Sequence, residues 1–259
     1  MKLQLKSVSK TFYSRNLEVT ALEDISFEVA EGEFLCIIGP SGCGKSTLLN
    51  IIAGLEKPDR GEVLIDGQII NRPGPDRVVM FQDDALFPWL NVLDNIEFGM
   101  KMKNTPKDKR RALALEFLRM VHLSTFKHSF VHELSRGMKQ RVALARALAI
   151  NPRLLLMDEP FGSLDAQTRE ILQADLQEIW ALTEKTIIFI THNVREAVCL
   201  GDRVLVCSAR PGRIKKEIKI ELPRPRKLGS LELIKVSNVI MQELRSEIET
   251  VLREELRDE

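Results

Sequence analysis

Residues 39–46 read Gly39-Pro40-Ser41-Gly42-Cys43-Gly44-Lys45-Ser46, a full G-x-x-x-x-G-K-[ST] pattern. Cys36-Ile37-Ile38 runs apolar into it, as a buried strand should, and Ser46-Thr47-Leu48-Leu49-Asn50-Ile51-Ile52 reads as a helix behind it. Strand, glycine loop, helix is the context in which this pattern holds phosphate. The glycines let the backbone turn its N–H groups inward, and the helix N-terminus adds positive potential. Lys45 supplies a cation for the β- and γ-phosphates, and the Ser46 hydroxyl suits Mg²⁺. The stretch predicts a site for a nucleoside triphosphate and does not by itself choose ATP over GTP.

Working outward, the chain alternates strands and helices. Leu3–Val8 alternates apolar and polar, and Ala21–Val29 reads as another strand. Glu62–Ile65 is a short strand into an Asp66-Gly67 turn, and Val78–Phe81 is a buried strand ending at Gln82. Residues 94–150 change to mostly helical patterning. Arg153–Glu159, Thr186–His192 and Val204–Val206 return to strands, with an amphipathic helix over Ala166–Thr183. This order predicts an α/β core with a parallel sheet, interrupted by a helical insertion at about 88–150. Glu217–Leu222 reads as an edge strand closing a domain over 1–222. Residues 223–259 then read as a linker, stiff at Pro223-Arg224-Pro225-Arg226, and an amphipathic helix faced by Leu233, Ile240, Leu244, Ile248 and Leu252. Every chemical motif lies before this tail, so the helix from Leu231 is expected to be dispensable for catalysis.

Composition narrows the class. The chain has 259 residues, 44% hydrophobic and 29% charged, enough for a sizeable core. A net charge of +1 gives no reason to expect a nucleic-acid partner. The four cysteines, Cys36, Cys43, Cys199 and Cys207, form no C-x-x-C, so neither a zinc site nor a disulfide framework is indicated. No apolar run is long enough to span a membrane, and the N-terminus is unlike a signal peptide, so a cytoplasmic chain is expected.

Further groups suit phosphoryl chemistry. Asp158 ends a buried strand and can hold Mg²⁺ beside a phosphate loop, and Glu159 can polarise a water. Gln82, at another strand end, can reach metal and attacking water. His192 follows a buried strand and either hydrogen-bonds a γ-phosphate or merely caps the next element. His122, His128 and His132 have no metal-like spacing.

In order and spacing these elements resemble the ATP-binding cassette family over about residues 1–212. Gly39–Ser46 resembles its Walker A and Leu154–Asp158 its Walker B. Leu134-Ser135-Arg136-Gly137-Met138-Lys139-Gln140-Arg141 resembles its signature, departing at Arg136 where the family has glycine. That arginine either meets phosphate or points to solvent, and solvent is favoured. The resemblance implies a P-loop NTPase (RecA-like) α/β core, an N-terminal antiparallel β subdomain and an inserted helical subdomain. It implies ATP and Mg²⁺ as cofactors. Nucleotide contacts are implied for Phe12 (with Tyr13 as the alternative adenine platform), Gly39, Pro40, Ser41, Gly42, Cys43, Gly44, Lys45, Ser46 and Thr47. Ser135, Gly137 and Asp165 are implied as contacts to nucleotide across a head-to-tail pair. Metal contacts are implied for Ser46, Gln82 and Asp158, and catalytic roles for Glu159, His192, Gln82 and Lys45. Phe12 has a plainer alternative, a core aromatic at a strand end.

Within the family, Asp84–Ile96, Met138–Leu148, Met157–Asp165, Arg195-Glu196-Ala197 and Leu222–Arg226 are most similar to ATPase subunits of nitrate/sulfonate/taurine-type importers. That similarity implies an ATP-hydrolysing subunit driving uptake of a small solute, an anion such as nitrate, sulfonate, taurine or bicarbonate. Its expected partners are transmembrane permease subunits, a second copy or a paralogous ATPase and, through the complex, a solute-binding protein, with no nucleic acid. Its expected place is the inner face of the cell membrane. An exporter ATPase, and a non-transport cassette acting on nucleic acid or ribosomes, are the alternatives. Leu86-Phe87-Pro88-Trp89-Leu90 is expected to form the permease socket, unless Trp89 packs under the helical insertion.

Overall fold

The computed structural model describes residues 1–14 and 17–258; the side chains of residues 17, 248 and 250–258, including the expected face residues Ile248 and Leu252, lie outside the described residues. In chain order the elements are β1 (Leu3–Ser14), β2 (Leu17–Val29), β3 (Phe34–Ile38), α1 (Lys45–Ala53), β4 (Arg60–Ile65), β5 (Gln68–Ile69) and β6 (Arg77–Met80). Then come α2 (Val92–Met102), α3 (Lys107–Met120), α4 (Arg136–Ala149), β7 (Leu154–Asp158), α5 (Ala166–Thr183) and β8 (Thr186–Ile190). The chain ends with α6 (Val194–Leu200), β9 (Arg203–Cys207), β10 (Ile214–Lys219) and α7 (Leu231–Asp258). Two compact units result, residues 1–74 with 184–259, and residues 75–183.

In the first unit an antiparallel sheet has the order β2-β1-β4-β5. Beside it runs a parallel layer in which β3 pairs with β8 and with β9, and β10 closes the edge antiparallel to β9. β3 and β8 are buried at every residue. Parallel strands covered on both faces read as unbroken apolar runs, which is why FLCII and TIIFI were legible. Phe34 and Phe189, both fully buried, pack with ring centroids 5.9 Å apart. α1 stops at Gly54, whose N–H reaches Ile51 O at 3.0 Å from a left-handed φ of 78°.

The first hairpin is longer than alternation predicts. β1 and β2 pair from Leu3↔Val29 to Ser14↔Leu17, with register shifts between Leu5 and Val8 and again around Lys10. Each bulge shifts the period by one residue, so the pattern fails while the pairing continues. The Asp66-Gly67 turn is as expected: both residues have positive φ, 49° and 78°, as a two-residue hairpin requires. β10 begins and ends earlier than the expected Glu217–Leu222 strand.

In the second unit β6 pairs parallel with β7, and α2, α3 and α4 pack together in the expected insertion. α2 starts at Asn91, whose Oδ1 accepts Asp94 N at 2.8 Å, and α4 starts at Ser135, whose Oγ accepts Met138 N at 3.3 Å.

Truncating Phe189 to alanine should cost about 3–5 kcal/mol of folding stability, because the site is sealed on all sides. Denaturant unfolding checks this; a loss below about 1 kcal/mol would show that the layer repacks readily.

Candidate functional site

In the first unit, residues 39–46 wrap the N-terminus of α1. α1 has no acidic residue in its first turn, so its positive end is not offset by its own side chains. Backbone holds the loop closely on two sides. A Cβ on Gly44, at φ 88°, would sit 2.5 Å from Ala21 O, and one on Gly212 would sit 2.1 Å from Cys43 O. Gly212 in turn exchanges hydrogen bonds with the β2 strand, its N–H to Ala21 O at 3.1 Å and its O from Glu23 N at 3.0 Å. Lys45 is almost fully buried, and its Nζ donates to Gly39 O at 2.9 Å and Pro40 O at 2.8 Å. The loop thus coils around its own lysine. Ser41, Gly42 and Ser46 are exposed and Thr47 half-buried. A cradle of backbone N–H groups, a positive helix end, one cation and an exposed hydroxyl fits a polyphosphate with its Mg²⁺.

Cys43 is 1% exposed, and its Sγ lies 3.6 Å from Lys45 Nζ. The Cys207 thiol donates to it and, with the Lys45 ammonium nearby, holds Cys43 down to about 7 despite the upward push of burial. Cys207 is pushed well up by the same hydrogen bond and by burial. So Cys43 can meet phosphate only through its backbone, and its side chain faces the core. Phe12 is 42% exposed with Lys10 Nζ 5.2 Å from its ring centroid, so it is not a core aromatic; Tyr13 is exposed too. His192 is exposed and opens the turn into α6, while its neighbour Thr191 is buried.

In the second unit, Asp158 ends β7 and Glu159 follows it at φ 45°, a left-handed backbone rarely adopted by glutamate. Such strain gathers where a side chain must be aimed. Gly162 N donates back to Glu159 O at 3.0 Å. The point where a Gly162 Cβ would sit lies 3.6 Å from Gln82 Nε2 and 3.7 Å from Glu159 Oε2. The glutamine amide and the carboxylate therefore converge on one spot beside Gly162.

Ser135 and Gly137 open α4, whose first turn also lacks an acidic residue. A Cβ on Gly137 would be 2.6 Å from Thr168 Cγ2, so glycine permits that approach. Arg136 is exposed, its Nη1 3.4 Å from Ser163 O, in keeping with the solvent reading. Asp165 accepts Thr168 N at 2.9 Å, which holds its carboxyl below the usual range.

Sequence reasoning passed over two side chains of α4. Gln140, buried, donates to Gln82 O at 3.2 Å, and Arg146 donates to Ala85 O at 2.8 Å and Asp84 O at 3.0 Å. They hold the loop after β6. The missed signal was a glutamine and an arginine among the buried Val142, Ala143, Ala145 and Ala147 of one helix.

All four cysteines are buried. At pH 8 a bulky disulfide reagent should therefore modify less than one thiol per native chain within minutes and all four after denaturation, since access and not thiolate fraction limits the rate. Fast reaction of one thiol, abolished by Cys43→Ser, would contradict a buried Cys43.

Residues 22–162 match the family model described as ABC transporter. An ABC transporter ATP-binding protein of Methanocaldococcus jannaschii is 50% identical over 96% of this chain and 93% of its own length. The taurine import ATP-binding protein TauB of Burkholderia pseudomallei is 48% identical over 86% of each chain. The nitrate import ATP-binding protein NrtD of a Synechocystis species is 46% identical over 86% of this chain and 84% of its own. Among solved structures, a dimeric ATP-binding cassette in a post-hydrolysis state bound to ADP and Pi matches with a TM-score of 0.73 at 35% identity, over 85% of this chain and all of that one. The fold, the loop around α1 and this degree of identity lead to one assignment: the chain belongs to the ABC transporter family.

Proposed function

We propose that this ABC ATPase energises the import of a small solute, an anion of the taurine or nitrate kind. The family carries the ATPase activity. The relatives named for taurine and nitrate import support the direction and the solute class. The observation that carries the chemistry is the positive end of α1, unopposed within its first turn and wrapped by a loop that offers backbone N–H groups and Lys45.

In this reading Gly39–Thr47 bind the phosphates, and Lys45 leaves Gly39 O and Pro40 O to meet the β- and γ-oxygens. Phe12 stacks on adenine. Ser46 and Asp158 offer oxygen ligands for Mg²⁺, which when bound neutralises charge developing on the phosphates. Glu159 orients and polarises the attacking water, Gln82 contacts metal and water, and His192 hydrogen-bonds the γ-phosphate. Catalysis is positioning and electrostatic stabilisation, with no covalent intermediate on the protein. Ser135 and Gly137, at the positive end of α4, receive the γ-phosphate held by a second copy or a paralogue, with Asp165, bonded to the Thr168 that lies against Gly137, as a further contact. The dimeric cassette among the structural neighbours supports a pairing of two cassettes.

No helix among the described residues is long and apolar enough to cross a membrane. The relatives named as import ATP-binding proteins support transmembrane permease subunits as the partners. The docking surface we favour is the loop at Phe87–Leu90. Trp89 is 71% exposed and packs tilted against Phe87, with centroids 5.5 Å apart. A cavity of about 270 Å³ lined by Val79, Met80, Phe87, Phe98, Ala147 and Ile150 adjoins it. The loop is preset: buried Asn95 accepts Phe87 N at 2.9 Å and donates to the carbonyls of Phe87, Leu90 and Asn91. An exposed tryptophan on a rigid loop beside an apolar groove suits an interface anchor. The expected seat is at the inner face of the cell membrane.

Glu159→Gln should retain ATP binding while turnover falls by about a hundredfold or more. Gel filtration with ATP and Mg²⁺ should then show a long-lived dimer; a nucleotide-bound monomer would count against the pairing. Trp89→Ala should weaken permease binding by about 2 kcal/mol or more while leaving the isolated subunit's melting temperature in place. Undiminished pull-down of the permease would remove Trp89 from the interface.

A further inference from the structure

α6 is short, so its last carbonyls find few partners within the helix. Gly201 N closes onto Ala197 O at 2.8 Å. The carbonyls of Val198, Leu200 and Gly201 are taken by two arginines from the segment after β10. Arg226 Nη1 donates to Val198 O at 2.9 Å and to Gly201 O, and Arg224 Nη2 donates to Leu200 O. Arg226 also donates to Leu222 O through Nε at 3.0 Å and to Ile220 O through Nη2 at 3.3 Å, which fixes its own loop. Arg224 pairs with Asp202 at 2.8 Å, and the other oxygen of Asp202 accepts Phe34 N at 2.9 Å. Arg226 is only 7% exposed, and Leu233, Ser237 and Ile240 of α7, which packs on α6, are buried. The stretch expected to be a spacer is thus bound into the first unit.

The opposite end of α6 begins at His192. Asn193 caps the helix, its Oδ1 accepting Arg195 N at 3.0 Å and Glu196 N at 3.3 Å. Asn193 N donates to Thr191 Oγ1 at 3.0 Å, and that hydroxyl donates to the buried Glu196 carboxylate. His192 therefore stands between two residues that are both tied to α6. A helix of about two turns has little stability of its own, so its ends and its buried face set its place.

We propose that Arg224 and Arg226 are positioning residues for His192: by capping the C-terminal end of α6 they hold the helix whose N-cap adjoins the histidine. They touch no nucleotide and act through α6. A lysine keeps the charge but lacks the planar fork that serves several carbonyls at once. The inference rests on the reading of His192 as a γ-phosphate contact.

The test is steady-state ATP hydrolysis by the full chain and by His192→Ala, Arg226→Lys and the double variant. Arg226→Lys should lower kcat at least about fivefold with KM for ATP within about twofold. The double variant should be no slower than His192→Ala alone by more than about twofold, because both changes remove one contribution. If Arg226→Lys does not fold, Arg224→Gln is read in the same way. An unchanged kcat in a folded arginine variant overturns the proposal. So does a multiplicative loss in the double variant, which leaves the reading of His192 standing. A fully active His192→Ala removes that reading and the proposal with it.

Discussion

The structure turns on one close backbone approach. Gly44 lies against Ala21 O, and Gly212 against Cys43 O, at distances no Cβ could share. The phosphate loop is therefore held against β2 and the turn before β10, which are hydrogen-bonded to each other. This explains why a long, bulged N-terminal ribbon belongs to a nucleotide-binding unit at all. It brings Phe12 into the same unit as the loop and supplies a wall for it. It also explains the buried Lys45, whose ammonium donates to two loop carbonyls, Gly39 O and Pro40 O.

In the second unit the comparable constraint is α4. Its N-terminus offers Ser135 and Gly137, and its body holds the loop after β6 through Gln140 and Arg146. One helix thus carries the groups proposed for a neighbour's phosphate and latches the loop proposed for a permease. A shift of that helix would be felt at both.

Much of this was legible in the sequence, and for physical reasons. FLCII, LLLM and TIIFI are buried on both faces, so they read as strands without alternation. The phosphate loop was legible because its mechanics demand glycines, a lysine and a hydroxyl at fixed spacing. The β1–β2 hairpin was read short because bulges break a period of two. Gln140, Arg146 and Arg226 were passed over because their work is to satisfy backbone carbonyls far away in sequence, and no local pattern records such a partner. The exposure of Trp89 and the burial of the Cys43 thiol were likewise open in sequence, since an aromatic or a thiol in a loop suits either side of the surface.

Subunit complementation tests the central claim most directly, that each site takes its phosphate loop from one copy and Ser135 and Gly137 from another. Lys45→Ala disables the first half and Ser135→Arg the second. Each chain alone should hydrolyse ATP poorly, whereas an equimolar mixture should recover activity, because a mixed pair contains one site with both halves intact. A mixture no more active than the average of its two components, with both chains folded, would contradict the shared site.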